Sequence, residues 1–219
     1  MEDQPAIIDQ AQPTRMQKSP FMTIWLKPRE TIREIVIYNP ELHVLIFAFL
    51  AGIGRALSRS SGRSVGDNGS LITILPLSVV FGGLGGILLL YIMGAIYRWL
   101  GAKFGGTASS QAIRASIAWS KVPQICGSVL WIPLIILFGN DLFTSSTVIF
   151  SKSSELVLLY FLIIAVMFSF WVWTTILKII TLAEVHQFLI WKSIAIIVIP
   201  IAVVLVPILC LVVVMVPFA

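Results

Sequence analysis

Long apolar runs separated by short polar segments dominate the chain from Leu42 onward. A helix crosses the ~30 Å hydrocarbon layer with roughly 20 apolar residues at about 1.5 Å each. Runs near or above this length lie at about 42–57, 71–98, 122–139, 155–177 and 188–218. The pattern predicts an all-α integral membrane protein with five transmembrane helices and short interfacial helices on the cytoplasmic side. The second and fifth runs exceed a straight span, which predicts tilting or bending. Pro76 and the Gly82-Gly83-Leu84-Gly85-Gly86 stretch supply bend points in the second, and Pro200 and Pro207 are predicted kinks in the fifth. The first run is the shortest, and Arg55 near its end is expected to snorkel to the headgroups.

The polar segments divide the chain further. Residues 1–19 are rich in Pro and Gln and read as a disordered cytoplasmic N-terminus, 20–40 as an interfacial segment, and 41–219 as the five-span membrane domain. From Pro28, apolar Ile32, Ile35 and Val36 recur at helical spacing, with Phe21 and Trp25 ahead of them. Such a segment suits a helix lying in the headgroup layer, ended by Asn39-Pro40. A second helix of this kind is predicted before Pro123. Thr107 or Ser109 caps it, and Ile113, Ile117 and Trp119 give it a membrane-facing side. Lysines and arginines cluster in the N-terminal segment, the second loop and the flanks of the fourth. Only Arg55, Arg59, Arg63 and Lys152 fall on the other side. The bias predicts a cytoplasmic N-terminus and an extracytoplasmic C-terminus.

Composition narrows the function. Hydrophobic residues make up 58% and charged residues 11%, against ~25% charged in soluble domains. The net charge of +5 sits beside the spans, so it points to anionic lipid headgroups and not to nucleic acid. Met1 is followed by Glu2 and Asp3, so no cleavable signal is expected and the first span serves for insertion. Cys126 and Cys210 are predicted at different depths and should not pair.

The centres of the predicted spans carry no ionisable side chain, which argues against a proton relay or an intramembrane protease. Glu184 and His186 lack a third ligand, so no metal is expected. Gly82 and Gly86 form G-x-x-x-G, a spacing for close helix packing within the chain or between copies. No catalytic residue, metal ligand or cofactor emerges.

The order Trp25-x-x-Pro28-x-x-Thr31-Ile32-Arg33 and Asn39-Pro40, then Gly105-Gly106, Arg114, Trp119 and Pro123, then Leu182-Ala183-Glu184-Val185-His186 and Trp191-Lys192, resembles prokaryotic members of the Yip-one (Ypt/Rab-interacting protein) domain family over about residues 20–215. The resemblance implies a compact five-helix membrane domain with a cytoplasmic N-terminus and a prokaryotic plasma-membrane location. Eukaryotic members are linked to Rab GTPases and to vesicle traffic or membrane shaping, and the short polar stretch before Pro20 is not expected to supply the long cytoplasmic N-terminal region common in them.

The expected function is therefore a non-enzymatic scaffold or adaptor, or a role in membrane organisation, exercised through the cytoplasmic face. Trp25, Arg29, Arg33, Arg114, Trp119 and Lys121 are its expected contacts to anionic lipid or to a cytoplasmic or membrane protein partner. Self-association is a further expectation. The alternative is a small transporter or channel built on Pro- and Gly-broken helices.

Overall fold

A computed structural model describes residues 19–215, and the side chains of Ser146, Thr147 and 208–215 are outside the description. The predicted disordered segment up to Lys18 and the Cys210 thiol therefore lie outside the described residues. Among these, the fold is helical without a strand. Five segments are long and apolar enough to span a membrane: Val44–Gly62, Leu71–Lys103, Ser110–Phe143, Ser154–His186 and Ile190–Pro207.

Two short helices come first, α1 (Pro20–Thr23) and α2 (Pro28–Tyr38). Proline opens each, its missing N–H costing nothing in a first turn. Ile24, Ile32 and Ile35 are fully buried, so α2 lays its apolar stripe on protein. The Asn39 side chain then accepts a hydrogen bond from the Glu41 amide at 3.0 Å, turning the chain into α3 (Val44–Gly62). Helix α3 continues past residue 57, so Arg55 is not the terminal cation that the polar loop suggested.

The second span has three parts: α4 (Leu71–Leu77), a π-helical segment (Ser78–Gly82) and α5 (Gly83–Lys103). Pro76 has no N–H to return to the preceding turn, and the wider helix begins two residues later. Across from it, α3 and α5 meet backbone to backbone. A Cβ added at Gly86 would lie 2.8 Å from the Gly52 Cα, and one at Gly82 would lie 3.0 Å from the Gly52 carbonyl oxygen.

The third span is broken into α6 (Ser110–Trp119), α7 (Val122–Ser128) and α8 (Trp131–Phe138). Ser109 caps α6, accepting from the Ala112 amide at 3.1 Å. Ile113, Ile117 and Trp119 are buried against protein and do not form the membrane-facing side expected of them. An apolar stripe shows which face is hidden, not whether lipid or protein hides it.

A five-residue helix, α9 (Ser146–Phe150), precedes α10 (Ser154–His186). None of α10's most apolar stretch is buried, so this helix stands on the outside of the bundle. It ends with Gln187 in the left-handed region (φ 56°) and the Phe188 amide bonding back to the Ala183 carbonyl at 3.2 Å. The last helix, α11 (Ile190–Met215), runs on through Pro200 and Pro207 as one element.

Two cores result. The larger joins α2, α3, α5, α6, α10 and α11 around Ile35, Val44, Ile113, Trp119, Leu177 and Ile196. The smaller lies at the opposite end around Trp131, Leu134, Phe138 and Phe143. There Trp131 stacks on Phe143 at 6.0 Å, and Lys152 pairs with Asp141 at 2.6 Å.

Candidate functional site: a clamped helix above a basic cavity

Helix α2 is fastened to the bundle by charge as well as by its isoleucines. Arg33 donates to one Glu184 carboxylate oxygen from Nε at 3.0 Å and Nη2 at 2.6 Å. The carboxylate is the buried partner, its side chain 10% exposed, whereas the arginine is 61% exposed. The hydrogen bond and charge of Glu184 hold the Arg33 guanidinium above its already high pKa. Glu184 thus serves to hold α2. Glu184→Gln should speed hydrogen–deuterium exchange of the α2 amides while leaving those of α5 unchanged. Equal exchange in α2 would show that its isoleucines suffice.

A second anchor crosses from α6. Arg114 pairs with Glu41 just before α3 and lies over the Tyr91 ring at 5.0 Å. Trp119 is 1% exposed. Its indole N–H donates to the Leu42 carbonyl at 3.0 Å, and its ring meets Phe47 edge-on at 4.8 Å. Ser116 donates to Thr181 Oγ1 at 2.9 Å, joining α6 to α10.

The six predicted contact residues therefore separate. Arg29 is exposed, and Trp25 is half-buried with its ring edge-on to Phe170 at 6.1 Å. Arg33 ties α2 to α10, and Arg114 and Trp119 tie α6 to the segment entering α3. Lys121 turns into the bundle.

Beneath this clamp is a cavity of about 200 Å³, whose wall includes Arg55, Tyr97, Lys121 and Lys178. These residues belong to α3, α5, the α6–α7 joint and α10. Lys178 is about 12 Å along α10 from His186, and Arg55 about 16 Å along α3 from Val44, at 1.5 Å per residue. Three cations thus line this cavity within the candidate spanning segments, with Arg55 inside α3 and not at its end. No acidic residue lines it, and the ion pairs among the described residues use other cations. Among the described residues, Lys121 Nζ donates to the Gln124 amide oxygen at 3.1 Å.

These features define a polytopic helical membrane protein of five candidate spans, with an amphipathic helix clamped at one end over a basic cavity. The model of the Yip1 domain matches residues 22–212, and the chain belongs to the Yip1 family. No curated protein and no solved structure matches the chain.

Proposed function

We propose that this Yip1-family protein is a non-enzymatic membrane scaffold that presents α1 and α2 to a protein partner at the cytoplasmic surface of a plasma membrane. The observation that carries this reading is a rigid mount with an unsatisfied outer face. Arg33–Glu184 and the buried isoleucines fix α2, while Leu26 between the two helices is 87% exposed and Met22 is 73% exposed, beside the exposed Arg29. An apolar pair flanked by a cation is the composition of a small contact surface. The cytoplasmic placement rests on the lysine and arginine bias.

The test is in-cell photocrosslinking from Leu26 and Arg29, with Trp119 as the buried control. One reproducible protein adduct at both positions, reduced by Arg29→Glu and missing at Trp119, is the expected result. Adducts confined to phospholipid would replace the scaffold with an interfacial anchor.

A further inference from the structure

Three cations facing one cavity inside a membrane protein need an explanation. Taking a charge out of water is costly unless an opposite charge meets it. Arg55, Lys121 and Lys178 are close enough to repel one another, so proximity adds to the cost. Among the described residues, no carboxylate lines the cavity wall. Tyr97, 4% exposed, brings a hydroxyl that accepts or donates and cannot neutralise charge. An external anion would supply the opposite charge that the cavity wall lacks.

A second cavity says which kind. It has a volume of about 340 Å³ and shares Gly52, Arg55, Gly86 and Leu89 with the first. It runs along the π-helical segment, where its wall includes Ile74, Leu77 and Phe81, with Arg59 of α3 also lining it. Phe81 is 69% exposed and Leu77 is 49% exposed on the outer surface of a spanning segment, so this groove borders the lipid. A basic chamber joined to an apolar groove at the bilayer edge matches a molecule with a charged head and a hydrocarbon tail.

We propose that Arg55, Lys121 and Lys178 form an intramembrane site for the phosphate group of an anionic phospholipid, whose acyl chain lies in the groove along Leu77 and Phe81. The guanidinium of Arg55, at the junction of the two cavities, takes two phosphate oxygens through its planar fork. Lys121 and Lys178 approach the remaining oxygens as point charges. The site is independent of the α1–α2 surface, because none of its residues belongs to those helices.

The full-length protein in detergent, titrated with phosphatidylglycerol or phosphatidylcholine and read by native mass spectrometry, tests the site. One phosphatidylglycerol should be retained per chain in preference to phosphatidylcholine. Lys178→Gln and Arg55→Gln should each weaken retention roughly tenfold or more, the scale of a lost charge-assisted contact. Lys178→Arg should restore it. Thermal melting without lipid controls for folding, and Lys178→Gln should match or exceed the parent there because it removes a repelling charge. Equal retention of the two lipids, or undiminished phosphatidylglycerol binding in both Gln variants, would overturn the site. Displacement of the lipid by millimolar inorganic phosphate would overturn the lipid assignment in favour of a free anion.

Discussion

Gly86→Ala should destabilise the folded bundle, while Gly85→Ala, one residue away, should leave it unchanged or slightly more stable. A Cβ at Gly85 meets nothing within 4 Å. Alanine there recovers about 0.5–1 kcal/mol of the helix cost of glycine. The same atom at Gly86 would lie 2.8 Å from the Gly52 Cα and 3.1 Å from its nitrogen. Both are backbone atoms of α3, so no rotamer change can make room and the helices have to separate. Overpacking in a well-filled core costs about 1–3 kcal/mol, which outweighs the helix gain. Thermal melts of both variants in detergent, followed by size-exclusion profile, decide the matter. Equal melting temperatures would mean that α3 and α5 do not meet at glycine.

Trp119→Ala carries the second large effect, about 3 kcal/mol, at the lower end of the range for removing a buried aromatic side chain. The lower end is appropriate because lipid, unlike water, weakens the hydrophobic share of the loss. What remains is the void beside Phe47 and an unbonded Leu42 carbonyl at the entrance to α3. Trp119→Phe keeps a ring against Phe47 and loses only the hydrogen bond, at about 1–2 kcal/mol. Melting temperatures should therefore fall in the order parent, Phe, Ala. If Phe proved as damaging as Ala, the indole N–H and not the packing would be the main contribution.

The span count was legible because one requirement, some 20 apolar residues per crossing, dominates membrane chains. The helical stripes of α2 and α6 were legible too, as Ile32–Ile35 and Ile113–Ile117 show. What a stripe rests on was not. Trp119 looks the same in sequence whether it touches headgroups or Phe47. The basic cavity was hidden for a related reason. Arg55, Lys121 and Lys178 are far apart in the chain, and each stands near the polar edge of an apolar run, where snorkelling explains a lone cation well. Only the continuation of α3 to Gly62 and the extension of α10 to His186 bring them to similar depth inside the bundle. The role of Glu184 was hidden in the same way, because its partner, Arg33, lies at the other end of the chain.

The π-helical segment also sets a rotational phase. Ile74, Ser78, Gly82, Gly86, Leu90 and Gly94 are spaced four residues apart. Of these, Ile74, Ser78, Leu90 and Gly94 are buried, while Gly82 and Gly86 touch α3. On an α-helix of 3.6 residues per turn, each such step overshoots a full turn by about 40°. The wider turn between Ser78 and Gly82 absorbs part of that drift where α3 is nearest. Removing one residue there would turn α4 by about 100° relative to α5, swinging Ile74 out of the smaller core while Gly86 stayed on α3. The two halves of this span are thus geared together by one surplus residue, so the segment's length constrains the chain more tightly than its composition does.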